Sequence, residues 1–169
     1  HGQGGQNYDV EKTNGPTGFL ANAQGKAQTS PTQDLVDAFP MLDGKPRGQS
    51  DKYSYSDESM YDNRDPRLEY TVLHNGSLWL SMFLETYSGG KNNPNAVSIE
   101  KTKTTYYMRK FMDKMEDRVD YTGNAPKRNW IMLRYAEILL NYAEAKNEVD
   151  IISKGENALV DAKVLEYVR

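Results

Sequence analysis

The stretch Trp130 to Lys146, WIMLRYAEILLNYAEAK, constrains this chain more than any other. Apolar residues occupy nearly every direction around a 3.6-residue period, while Arg134, Glu137, Asn141 and Glu144 recur at three- and four-residue steps and line up as one narrow polar stripe. The pattern predicts a helix that must be buried. Enclosing Trp130, Ile131, Leu133, Ile138, Leu139 and Leu140 at ~1.5 to 3 kcal/mol each is worth roughly 10 to 15 kcal/mol, an upper bound because an unfolded chain is already partly collapsed. Ala136 and Ala143 leave room for a partner helix to approach closely, and Arg134 with Glu137 is spaced for an ion pair. Such a rod needs neighbours that the rest of the chain barely supplies, so its lying on the surface would count against the reading developed below.

Upstream, residues 1 to 29 are rich in Gly, Gln, Asn and Thr and read as loop. Ser30, Pro31 and Gln33 form a capping box for a short helix that Pro40 stops, with Leu35, Val36 and Phe39 as its buried side. Met41 to Arg64 reads as a long loop. The runs YTVLH and SLWLSMF flank Asn75-Gly76, the favoured pair for a type I′ turn, and predict a β-hairpin. A Gly-rich loop, Ser88 to Asn95, leads to a predicted strand in YYMRKFM with Tyr107, Arg109 and Phe111 on one face. After the main helix, Ser153 and Glu156 form a second capping box before an apolar run from Ala158 to Arg169. Two helices joined by a short connection predict an antiparallel hairpin, the unit of helical-repeat proteins.

At 169 residues the chain is long enough for one domain. With 37% hydrophobic residues and a mean hydropathy of -0.82, its core supply is thin and concentrated near the C-terminus. A loop-rich domain with a small core fits the same numbers. A net charge of -3 gives no electrostatic case for nucleic acid. Zero cysteines remove disulfides, thiol nucleophiles and cysteine metal sites. No run approaches the ~18 apolar residues of a membrane span, and the opening HGQGGQ is neither a signal peptide nor a lipid-attachment box.

Catalytic signatures are missing. The histidines are His1 and His74, with no HExxH and no GxSxG elbow, so neither a familiar zinc site nor a cofactor is expected. His74, beside the predicted turn, reads as a solvated residue. Asp57, Glu58, Asp62 and Asp65 lack the spacing of a calcium loop. Asp113, Glu116, Asp117 and Asp120 read as a hydrated face, and Arg64, Asp65 and Arg67 as a structural turn. What remains is an aromatic supply suited to sugars: flat faces for pyranose C–H groups and phenol hydroxyls for hydrogen bonds. The candidate ligand-binding residues are Tyr53 and Tyr55 on the long loop, Trp79 in the hairpin and Tyr87 beside the Gly-rich loop. Packing is the competing use for each; Tyr106, Tyr107, Trp130, Tyr135 and Tyr142 read as core.

The run RYAEILLNYAEA, Arg134 to Ala145, resembles the most recognisable motif of the SusD/RagB family of surface nutrient-binding lipoproteins. SPTQDLVDAFPM (Ser30 to Met41), RDPRL (Arg64 to Leu68) and YYMRKFMD (Tyr106 to Asp113) resemble family segments in the same order. The resemblance covers roughly Ser30 to the end and implies a C-terminal portion. It implies a mainly α fold with a small β-hairpin and long loops, in which a tetratricopeptide-like helical hairpin stacks on helices of an N-terminal half. Residues 1–29 would be a loop-rich lead, 30–128 a loop and hairpin segment, and 129–169 the helical hairpin of a single region. The function implied is non-catalytic binding of a glycan at the outer-membrane surface and its delivery to a SusC-like TonB-dependent transporter. The membrane is reached through a lipid anchor outside this chain. A peptide ligand, a polysaccharide-degrading enzyme and a helical-repeat scaffold are the alternatives.

Overall fold

The computed structural model describes residues 8–93, 102–123, 131–155 and 161–168. Two compact units divide the chain: residues 6–126, and residues 127–169 together with 1–5. Regular structure is mainly helical, with short antiparallel strand pairs and long loops between.

The larger unit opens with α1, Asp9–Asn14, which carries Asp9 and Glu11 in its first turn and Lys12 in its last, in accord with the helix dipole. Its C-terminus is closed by Gly15 N–H donating to the Glu11 carbonyl. A single 3-10 turn follows at Ala21–Ala23. This part of the lead is therefore structured and not the loop its composition suggests: Tyr8, Glu11, Thr17 and Ala27 are all buried. Its small residues serve close approach. At Gly18, where φ is +90°, a Cβ would lie 2.2 Å from the Lys91 carbonyl oxygen.

Helix α2, Gln33–Ala38, is capped by Thr32, whose hydroxyl accepts from Leu35 N–H at 3.2 Å. The predicted cap, Ser30, serves elsewhere, accepting from Lys103 N–H at 2.9 Å. Val36 is the buried residue of this helix, and Leu35 is exposed. The long loop that follows is closed at its base by an antiparallel bridge between Met41 and Arg64 and by Leu42 N–H donating to Asn63 O.

The strands pair differently from the sequence expectation. β1 (Val72–Leu73) pairs with β4 (Tyr107–Met108), in register Val72 with Met108 and Leu73 with Tyr107. β2 (Leu78–Trp79) pairs with β3 (Met82–Phe83) across a turn at Leu80-Ser81. Asn75-Gly76 does form a turn, closed by Ser77 N–H donating to His74 O, but only Gly76 of the two has positive φ. A type I′ turn needs both, and the hairpin forms five residues later, at Leu80-Ser81. There Leu80 and Ser81 take φ of +50° and +57°, and their N–H groups donate to the carbonyls of Met115 and Glu116. These tertiary bonds offset the cost of that backbone for residues with a Cβ. β4 is also shorter than predicted, since Phe111 turns to φ +69° and its ring is exposed.

One core cluster gathers Tyr8, Leu73, Trp79, Leu84, Tyr107, Met115 and Tyr121, while a second holds Val36, Leu68, Val72 and Tyr106. Polar groups are sealed inside the first: the Tyr107 hydroxyl donates to Asn92 O at 2.6 Å and meets Thr17 Oγ1 at 3.0 Å, and Asn92 Nδ2 donates to Thr17 O. Satisfied buried polar groups of this kind let a chain of low hydropathy close a core.

In the smaller unit α3 spans Tyr135–Lys154, starting five residues after the predicted Trp130; Trp130 itself lies outside the described residues. Arg134 is extended, and Gly155, at φ +87°, ends the helix. Ser153 is inside the helix, donating to Val149 O, and is not a cap; Glu156 lies outside the described residues. Asp161 opens α4 (Ala162–Val168) by accepting from Lys163 N–H at 2.8 Å. Lys146 lies near Asp161 and Tyr142 meets Tyr167 edge to face at 5.6 Å, so α4 runs back along α3 as an antiparallel hairpin. Asp150, buried, receives Lys146 and Lys154 from one turn on either side. Within the smaller unit the apolar direction of α3 is not enclosed, contrary to the sequence expectation. Ala143 and Asp150 are its buried residues, whereas Tyr135, Ile138, Leu140 and Tyr142 are exposed.

Candidate functional site

The loop from Met41 to Arg64 is built to display side chains. Arg64 is its anchor: the buried guanidinium donates to the carbonyls of Val36 and Phe39 at 2.7 and 2.6 Å, at the C-terminus of α2, and to Met60 O at 2.8 Å. Just beyond, Arg67 grips the Asp65 carboxylate through Nε and a second nitrogen, and its hydrogen bonds pull the Asp65 carboxyl down to about 2. This is the structural turn expected from RDPRL.

Inside the loop, Arg47 donates to Asp37 Oδ1 at 2.5 Å and to the Tyr55 hydroxyl at 2.9 Å, with its guanidinium 4.9 Å from the Tyr55 ring centroid. Tyr53 is fixed through its N–H to Ser50 Oγ at 2.9 Å, and Lys52 stands 5.2 Å from its ring. Ser50 in turn donates to Asp43, which lowers that carboxyl. Tyr53 and Tyr55 are thus half-buried rings on a cross-braced loop, each with a cation near one face.

Tyr87 projects from the turn after β3 and is 57% exposed, the most open of the four candidate rings. That turn is held by Asn92 Oδ1 accepting from Glu85 N–H and by Gly90 N–H donating to Tyr87 O. Trp79 is placed otherwise than expected. It is fully buried and donates its indole N–H to Tyr121, so its ring offers no open face and its position is that of a core residue under the β2–β3 hairpin. The same hairpin turns a different pair outward, Leu78 opposite Phe83, the latter 67% exposed. Residue type and a place in the predicted hairpin are what put Trp79 forward, and neither reports its burial. Among the described residues no ring contact joins any two of Tyr53, Tyr55, Trp79 and Tyr87.

Tyr106 and Tyr107 are core as expected, whereas Tyr135 and Tyr142 are exposed on α3. His74 is buried, not solvated. Burial raises the pKa of Tyr61, Tyr107 and Tyr121, so these phenols stay neutral donors and acceptors. Among the described residues there is no cluster of His, Asp or Glu arranged to hold a metal. No described helix is long and apolar enough to cross a membrane.

A tetratricopeptide-like helical hairpin together with an irregular, loop-rich unit is the fold class of this chain, and it is shared with a SusD-like structure. The family model described as SusD family matches residues 2–169, and the chain belongs to that family. A solved SusD-like protein from Bacteroides fragilis NCTC 9343 superposes with a TM-score of 0.56 at 24% identity, over 97% of this chain and 37% of its own. A second, described as a SusD-like carbohydrate binding protein from the same organism, gives a TM-score of 0.49 at 28% identity, over 74% of this chain and 24% of its own. The chain thus spans 37% and 24% of the lengths of these two structures. Among curated proteins none matches.

Proposed function

We propose that this chain is part of a non-catalytic glycan-binding protein of the bacterial outer-membrane surface. It holds an oligosaccharide for a SusC-like TonB-dependent transporter and is tethered to the membrane by a lipid anchor. The observation that carries the proposal is the family match over residues 2–169. The side chains support it: Tyr87 offers an open ring, and Tyr53 and Tyr55 sit on a braced loop, where ring faces stack on sugar C–H groups and hydroxyls hydrogen-bond to sugar oxygens. Trp79 is assigned the supporting role, keeping the hairpin in place. A peptide ligand is the second reading, favoured by the outward Leu78–Phe83 pair, an apolar contact better matched to side chains than to hydroxylated rings.

Titration calorimetry of the chain against panels of neutral oligosaccharides and peptides tests the reading. Binding of an oligosaccharide without its cleavage is the expected result, weakened about tenfold by Tyr87→Ala through loss of a stacking ring worth ~1.4 kcal/mol. Release of shorter sugars from the ligand overturns the non-catalytic assignment. Heat from peptides alone transfers the site to the second reading.

A further inference from the structure

His74 is buried in the larger unit, with both ring nitrogens against acceptors. Nδ1 lies 2.8 Å from the Asn75 carbonyl oxygen, and Nε2 lies 2.8 Å from Glu69 Oε1. A carbonyl oxygen only accepts, so Nδ1 carries its hydrogen. An ionised carboxylate also only accepts, so the Nε2 contact is a hydrogen bond only while one further proton sits between the two groups. One face of the imidazole is covered by Tyr61, stacked at 3.7 Å between centroids and 15° between planes. Tyr61 in turn meets Tyr106 edge-on and donates to its hydroxyl at 3.4 Å, and the Tyr106 hydroxyl donates to Gln33 Oε1 on α2 at 2.7 Å.

Tyr61 stands three residues before Arg64, at the base of the loop that carries Tyr53 and Tyr55. We propose that the His74–Glu69 pair is a proton-operated clasp that holds this loop, through the Tyr61 stack, on the body of the larger unit. With the proton in place the ring is a cation against the face of a phenol, an attractive arrangement in a water-poor setting. Without it, the Nε2 lone pair confronts the carboxylate and the stack loses its charge. The groups facing the imidazole are Glu69, Tyr61 and the Asn75 carbonyl, with Tyr106 and Tyr55 behind Tyr61 and the Ser77 hydroxyl on the His74 amide. Of these, Tyr61 remains a neutral phenol, because burial raises its pKa. The clasp is therefore closed while the proton is held between Nε2 and the Glu69 carboxylate and opens once rising pH removes it. It goes beyond glycan binding and needs no ligand to be observed.

Hydrogen exchange of peptides from 41–64, corrected for intrinsic rate and referenced to peptides around Tyr107, reads the opening directly. Between a mildly acid and a mildly alkaline buffer, loop protection is expected to fall at least threefold. Glu69→Gln replaces the carboxylate by an amide that donates to the unprotonated Nε2, and should keep the loop protected at both pH values. Glu69 is half-exposed, so this variant folds even if His74→Leu does not. Wild-type protection that is the same at both pH values overturns the clasp, as does a Glu69→Gln loop that loses protection in parallel with the wild type.

Discussion

The indole nitrogen of Trp79 donates to the hydroxyl oxygen of Tyr121 at 3.0 Å, and both side chains are sealed from solvent. This bond ties the β2–β3 hairpin to the segment that ends the larger unit, where Tyr121 N–H also donates to Asn22 O. Three stretches far apart in sequence therefore meet at one residue, Tyr121, through its hydroxyl and its backbone N–H.

Tyr121→Phe removes the acceptor and leaves a buried indole N–H unsatisfied, at a cost of about 1 to 3 kcal/mol. Trp79→Ala also opens a cavity and costs about 3 to 5 kcal/mol. Urea denaturation should rank the two in that order. Equal losses would mean that the hydrogen bond, not the packing, dominates the site.

Arg64 closes the loop by donating to three carbonyls, two of them at the end of α2. Arg64→Lys keeps the charge but lacks the planar fork that spans these acceptors. Stability should drop by about 2 to 3 kcal/mol for Arg64→Lys, close to the loss for Arg64→Met, since each leaves buried carbonyls unpaired. Thermal melts of the two variants settle whether geometry or charge is the requirement.

On α3, Asp150 is hydrogen-bonded by Lys146 and Lys154, and these bonds hold its carboxyl below the ordinary value of 3.8. A carboxyl with a lower pKa folded than unfolded contributes stability that is fully present above the unfolded value and is lost as pH falls through the folded one. Far-UV circular dichroism should therefore show the helical hairpin weakening on the acid side of 3.8, and Asp150→Asn should remove that part of the acid response.

The sequence made the helical hairpin, the short helix stopped before Pro40 and the RDPRL turn legible because each rests on local chemistry: periodicity, a proline stop, a charge pair two residues apart; the cap it expects at Ser30 is supplied by Thr32 instead. It misplaced whatever depends on distant partners. Leu80 and Ser81 accept positive φ only because Met115 and Glu116 take their N–H groups, and no local preference announces that. Residues 8 to 29 looked like loop because their order comes from Tyr121, Asn92 and Tyr107, more than sixty residues on. Trp79 was nominated for ligand contact by residue type, and its burial follows from the same long-range bonds. Tyr53, Tyr55 and Tyr87 could be nominated from composition, but which faces they present is decided by Arg47, Lys52 and Asn92.

The same distinction governs α3, whose apolar residues predict burial while Ile138 is 47% and Leu140 51% exposed. Exposure in a family member is reconciled if these side chains face the part of the fold to which this chain has no counterpart, since it spans 37% of the structural relative. In the chain as given, Ile138→Lys and Leu140→Lys should each change stability by no more than about 0.5 kcal/mol, the range of open surface positions. Were the side chains enclosed, each change would bury an unpaired ammonium at several kcal/mol. Chemical denaturation of the two variants decides between these outcomes. Near-neutral values for both place Ile138 and Leu140 on an open face of the helical hairpin.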